Sequence, residues 1–170
     1  MNCEIHGDFF MRICYNIVSS IYQKGRNMTK FDTNNHSVFL LRYHLILCVK
    51  YRNKVINDDI SRRLKQIFEY ISPNYNITLD EWNHDIDHVH VLFRGNPNSD
   101  ISKFINAYKS ASSRLIKKEF PEIKKSLWKE MFWSKSFCLL STGGVTADII
   151  KEYIQSQGAK HGSKRNNLCN

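Results

Sequence analysis

Between residues 37 and 50 the odd positions Phe39, Leu41, Tyr43, Leu45, Leu47 and Val49 are all apolar, while Arg42, His44 and Lys50 occupy even ones. Successive side chains of a strand point to opposite faces, so this segment predicts a long strand with one wholly apolar face. The period then lengthens. Ile60, Leu64, Ile67, Phe68 and Ile71 recur three and four residues apart, the stripe of an amphipathic helix. Asn57 stands at the N-cap position, Asp58 and Asp59 bring negative charge to the positive end of the helix dipole, and Pro73 pushes the backbone before it out of the helical region. Residues 77–82 predict a second, weaker strand and residues 88–94 a third. A second helix, opening at Ser99 or Asp100 and closing at Phe120 before Pro121, buries Ile101, Phe104, Ile105, Tyr108, Leu115 and Ile116. An aromatic segment with Trp128, Phe132 and Trp133 leads to a fourth strand over residues 136–141, closed by Gly143 and Gly144. Thr146 then caps a last helix over residues 147–157, with Gly158 as its stop signal.

Apart from that last helix, the order is the split β-α-β-β-α-β arrangement of ferredoxin-like α+β folds, an antiparallel sheet with helices on one face. Residues 1–27 stand before the pattern. Glu4 and Asp8 sit where a secretory leader carries positive charge, so the segment is expected to be an N-terminal extension or a mis-called start, with residues 28–170 forming a single domain. The longest apolar stretches, such as residues 45–49, are far short of the ~20 residues that span a bilayer.

Charge adds the first functional hint. The 170 residues carry 25 Lys and Arg against 16 Asp and Glu, a formal net charge of +9. The basic side chains concentrate between residues 103 and 135, at Lys103, Lys109, Arg114, Lys117, Lys118, Lys124, Lys125, Lys129 and Lys135. Such a field attracts polyanions, nucleic acid first among them, although a merely soluble basic surface has the same composition. The five cysteines, Cys3, Cys14, Cys48, Cys138 and Cys169, never form a Cys-x-x-Cys pair, so neither a disulfide framework nor a thiolate zinc cluster is written here.

His88-Val89-His90 is the most pointed chemical feature. On a strand both imidazoles project from one face, about 7 Å apart along it, and two such rings can converge on one metal ion. The apolar register sends Val89, Val91 and Phe93 into the core and leaves both histidines on the open face of the sheet. Asp85 and Asp87 are candidates to orient the rings through hydrogen bonds. The same spacing also fits two hydrogen-bonded surface histidines. Tyr153 and Gln157, four residues apart on the last helix, share a face and can reach one site together. Tyr153 alternatively continues the apolar stripe of Ile149, Ile150 and Ile154.

His88-Val89-His90 resembles the histidine motif of HUH single-strand nucleases, and residues 153–157 (Tyr-Ile-Gln-Ser-Gln) resemble the tyrosine helix of their single-tyrosine transposases. Tyr43-His44 through Lys50-Tyr51-Arg52, Ser112-Ser113-Arg114-Leu115 with Phe120-Pro121, and Phe132-Trp133-Ser134 to Gly143-Gly144 are similar, in the same order, to further stretches of the IS200-like (TnpA-type) family. Leu47 stands where that family commonly has tryptophan, and Phe137-Cys138 where it has an aromatic pair. The resemblance implies an insertion-sequence transposase that cuts and rejoins single-stranded DNA and recognises hairpins at the element's ends. Tyr153 is its nucleophile, forming a 5′-phosphotyrosine, and His88, His90 and Gln157 hold a divalent metal, Mg²⁺ or Mn²⁺. The resemblance also implies a homodimer that shares its sites between subunits, working in a bacterial or archaeal cytoplasm at the nucleoid. Backbone contacts to DNA are expected from Lys103, Lys109, Arg114, Lys117, Lys118, Lys124 and Lys125, with Trp128 and Trp133 as stacking surfaces or core. Two rivals share some of these features. A non-catalytic ferredoxin-like module binding single-stranded nucleic acid has the same charge and fold. A cupin-type oxygenase also uses His-x-His, but it needs a nearby Glu where Phe93 and Arg94 stand.

Overall fold

The computed structural model describes residues 32–33 and 38–141. The N-terminal extension, the Gly143-Gly144 turn and the last helix with Tyr153 and Gln157 lie outside the described residues. Two short strands, β1 (Asp32–Thr33) and β2 (Val38–Phe39), pair as a small antiparallel ribbon. The long alternating segment becomes β3 (Leu41–Cys48), followed by helix α1 (Asp58–Ile71), β4 (Ile77–Asp85), β5 (His88–Gly95), helix α2 (Ile101–Glu119) and β6 (Cys138–Ser141). The last four strands form one antiparallel sheet in the order β4-β5-β3-β6. This is the ferredoxin-like arrangement predicted from the order of elements.

Both helices start where the sequence places a cap. Asn57 accepts a hydrogen bond from the Ile60 amide and Asp100 from the Lys103 amide, each satisfying an otherwise orphaned donor of the first turn. The odd residues of β3 and β5, Leu45, Leu47, Val89, Val91 and Phe93, pack against Ile60, Leu64 and Phe68 of α1 and Phe104, Ile105 and Tyr108 of α2. Phe68 sits at the centre of this layer, its ring against those of Trp82, Phe93, Phe104 and Tyr108. Ile101 and Leu115, predicted as core, are only partly buried, and the small Ser112 is fully buried instead. Its hydroxyl accepts a hydrogen bond from the Trp133 indole at 2.9 Å and donates to the Tyr108 carbonyl at 2.6 Å. Ser112 thus ties α2 to the chain entering β6, and Trp133 belongs to the core.

Strand β4 runs three residues past its predicted end, because Asn83, His84 and Asp85 pair with His90, Val89 and His88, and its alternation is interrupted. The register slips between Leu79 and Glu81, leaving Asp80 as an extra residue. Leu79 lies opposite Phe93 and Trp82 opposite Val91, so an odd and an even residue reach the same helix-covered face. Asp80 is held by Arg94 at 2.8 Å, and Arg94 also reaches Asp32 of the ribbon.

Candidate active site

The strand β3 pairs with β5 so that Ile46 lies opposite His90 and Cys48 opposite His88. Even residues of both strands therefore share the face turned away from the helices, and His44, two residues before Ile46, joins the two predicted histidines there. That face is not open as expected. His44, His88 and His90 are 0 %, 9 % and 2 % exposed. Instead of projecting into solvent, the rings turn onto one another, His44 stacked on His90 and His88 edge-on to it.

The hydrogen bonds run in one chain. Arg52 Nε donates to Asp87 Oδ2 at 2.7 Å, and Asp87 Oδ1 lies 2.6 Å from His88 Nδ1. A carboxylate can only accept, so His88 donates from Nδ1 and turns Nε2 inward. His88 Nε2 lies 3.0 Å from His90 Nε2, and His90 Nδ1 lies 3.1 Å from His44 Nε2. The chain is satisfied if His90 donates from Nε2 and His44 donates from Nε2. The Nδ1 atom of His44 is then a buried atom without a partner.

Electrostatics follow from this crowding. Burial holds the His44 imidazole down to about 4. Burial, then the charges of His44, His88 and Arg52, hold His90 well below its ordinary value. Burial alone raises the Asp87 carboxyl, but the hydrogen bond from His88 and the charge of Arg52 outweigh it and leave the group lowered. Near neutral pH the site therefore offers an ionised Asp87 and neutral imidazoles at His44 and His90.

Two imidazole nitrogens brought this close together suit a cation. Two adjacent ligands about 2.1 Å from an octahedral ion are about 3.0 Å apart, which matches the separation of the His88 and His90 Nε2 atoms. For both to ligate, His90 must move its proton to Nδ1 and donate it to His44, a shift His44 can absorb through its own Nδ1. Asp85, Asp87 and His88 form a second group of ligand atoms within 4.8 Å of one another. There, however, Asp85 accepts from the Ile86 amide and Asp87 is engaged by Arg52 and His88, so these carboxylates orient rather than compete. The sequence alone does not single out His44 and Arg52 as site residues. The even register of residues 37–50 is the signal that could have found His44, since it sets that side chain on the face opposite Leu45 and Leu47.

The basic residues separate into two sets. Lys109, Arg114, Lys117, Lys118 and Lys124 line a groove of about 850 Å³ with Lys129 and Lys135, floored by Phe132 and Trp133. Burial lowers the Lys109 ammonium, which donates to the Lys135 carbonyl at 2.8 Å. Lys103 and Lys125 do not line the groove, and Lys103 stands 3.9 Å from Asp100 at the start of α2. Helical spacing explains part of this. Lys103 is more than a full turn before Lys109 and Arg114, in the first turn of α2, whose other end leads into the 121–135 segment that helps line the groove.

The sequence profile of the family described as "Transposase IS200 like" matches residues 37–157. The ISDra2 transposase TnpA of Deinococcus radiodurans is 36 % identical over 123 residues, covering 72 % of this chain and 88 % of that protein. The transposase of insertion sequence element IS200 from Salmonella typhimurium is 25 % identical over 122 residues, covering 72 % of this chain and 80 % of its own length. Among solved structures, one assigned as a transposase from Deinococcus radiodurans superposes with a TM-score of 0.57 at 32 % identity, over 79 % of this chain and 96 % of that one. A REP-associated tyrosine transposase bound to a REP hairpin superposes with a TM-score of 0.56 at 13 % identity, over 82 % and 75 %. The last of these likenesses is one of fold.

Proposed function

Because this chain belongs to the IS200-like transposase family, we propose that it cuts and rejoins single-stranded DNA through a covalent tyrosine intermediate, at a site built on the β5 histidines. The observation that carries this reading is the pair of facing Nε2 atoms of His88 and His90, 3.0 Å apart and backed by Asp87 and Arg52. His88 and His90 hold a divalent ion, Mg²⁺ or Mn²⁺, with Gln157 as third ligand. Such an ion, when bound, polarises the scissile phosphate and stabilises the leaving 3′-oxygen.

The Tyr153 hydroxyl is the nucleophile. Its oxygen forms a bond to phosphorus, the bond from phosphorus to the 3′-oxygen breaks, and the phenolic proton is lost while the 3′-oxygen gains one. The product is a 5′-phosphotyrosine beside a free 3′-hydroxyl. Attack of a 3′-hydroxyl on that linkage reverses the step and joins strands without ATP, because the phosphodiester energy is kept in the covalent bond. The family match extends to residue 157 and so takes in both Tyr153 and Gln157. Hairpin DNA is the proposed substrate, carried over from the REP-associated relative, and the groove between α2 and the 121–135 segment has the charge for its backbone. The active form is proposed to be a homodimer in which the tyrosine helix of one subunit completes the histidine site of the other.

The test is incubation with single-stranded hairpin DNA and Mn²⁺, followed by denaturing electrophoresis. A covalent protein–DNA band is expected from the wild type. Tyr153→Phe should lose it while keeping hairpin binding, and thorough chelation should abolish it. A band from the Phe variant would move the nucleophile elsewhere. A purified heterodimer of Tyr153→Phe with His88→Ala,His90→Ala should recover activity if sites are shared, because one of its two sites is then intact. An inactive heterodimer assigns each tyrosine to its own chain's histidines.

A further inference from the structure

Beside the histidine site, the chain exposes two aromatic rings on strained turns. Tyr51 and Trp128 are 48 % and 43 % exposed, with ring centroids 5.3 Å apart and planes perpendicular. Together they form a corner, one ring as floor and the other as wall. Lys50 Nζ lies 4.6 Å from the Tyr51 centroid and Lys129 Nζ 4.5 Å from that of Trp128. The turns that carry them have unusual backbone. Tyr51 and Arg52 have φ of 58° and 59°, Lys129 and Glu130 of 47° and 54°, left-handed conformations that L side chains resist.

The two turns are also fastened to each other. The Lys50 amide donates to the Phe132 carbonyl at 2.8 Å, the Ser134 amide to the Cys48 carbonyl at 2.9 Å, and the Asn53 side chain to the Ser126 carbonyl at 2.6 Å. The corner is therefore preorganised. On one side Arg52 leads directly to Asp87 and the histidines. On the other, Lys129 and Glu130 line the basic groove.

We propose that Tyr51 and Trp128 form a stacking subsite for one unpaired base of the DNA strand passing between the basic groove and the histidine site, with Lys50 and Lys129 taking the adjoining phosphates. The inference rests on the single-stranded DNA reading above and names a contact within it. Each ammonium resting on a ring has a stronger partner in a phosphate, and moving to it uncovers the ring for a base. Every base has a π face, so the subsite tolerates any sequence and favours single strands over duplex, whose bases are already stacked.

The probe is fluorescently labelled dT16, compared with an abasic 16-mer of the same charge and with a 16-base-pair duplex. Wild type should bind dT16 more tightly than the abasic strand. Trp128→Ala should weaken dT16 binding by between about fivefold and a hundredfold, Trp128→Phe by much less, and neither should change binding to the abasic strand or the duplex. Equal affinity of the wild type for dT16 and the abasic strand overturns the subsite without any variant. Unchanged dT16 binding by folded Trp128→Ala and Tyr51→Ala overturns it as well. Either failure leaves the covalent adduct intact if the catalytic reading is right, whereas loss of the adduct with base stacking preserved would count against the catalytic reading alone.

Discussion

At the scale of single residues, His44 carries the clearest dependence on pH. Its folded-state value is about 4 against 6.5 unperturbed, so between those limits the unfolded chain binds a proton that the folded chain refuses. Stability from this residue is fully present above pH 6.5 and is lost as pH falls towards 4. At about 1.4 kcal/mol for each pH unit, His44 alone should cost about 2 kcal/mol between pH 6.5 and 5. His90, lowered in the same direction, adds to the slope. Urea unfolding across this range, in chelator, should show the loss, and His44→Gln should flatten it by about that amount. A slope unchanged in the variant would assign the dependence to other groups. His88 and His90 could be read from the sequence because they sit two apart on one strand. His44 could not be joined to them, since its partner is 46 positions away and the contact exists only once β3 pairs with β5 in this register.

Among elements, the hydroxyl of Ser112 joins α2 to the strand-entry segment that forms one wall of the groove. Ser112→Ala leaves the buried Trp133 indole N–H without its acceptor, an unmet donor that should cost about 1 to 3 kcal/mol. Thermal or chemical unfolding would measure it, and a loss well under 0.5 kcal/mol would mean that a water replaces the hydroxyl. Periodicity showed which residues build each element: the odd positions of β3, the α1 stripe and the caps Asn57 and Asp100 are all local signals. It did not show the Asp80 bulge, because an inserted residue merely blurs the alternation of Leu79 and Trp82. Nor did it show that Trp133 is held inside while Trp128 is left outside, a choice made by the Ser112 hydroxyl and the left-handed turn at Lys129.

For the whole molecule, charge in the sequence became shape only on folding. Nine basic residues crowd between positions 103 and 135, yet the groove selects among them. Neutralising Lys117, Lys118 and Lys124 to Gln should weaken single-stranded DNA binding and lower the slope of log affinity against log salt by about 0.7 for each phosphate left without its cation. The pair Lys103→Gln,Lys125→Gln, off the groove, should leave that slope nearly unchanged. Equal effects from the two sets would show that only net charge matters.

The left-handed residues also set different directions for selection. Glycine adopts such backbone without the penalty of order 1 kcal/mol that a side chain bears. In a library randomised at positions 51, 52, 129 and 130 and sorted only for survival of heating, glycine should rise at 129 and 130, where no side-chain hydrogen bond has to be given up to obtain the relief. Sorted instead for DNA joining, the same library should retain arginine at 52, whose guanidinium holds Asp87, and an aromatic at 51. Sequencing both pools would expose the conflict position by position, and the residues on which the pools disagree would mark where this lineage has kept conformational discomfort for the sake of its chemistry.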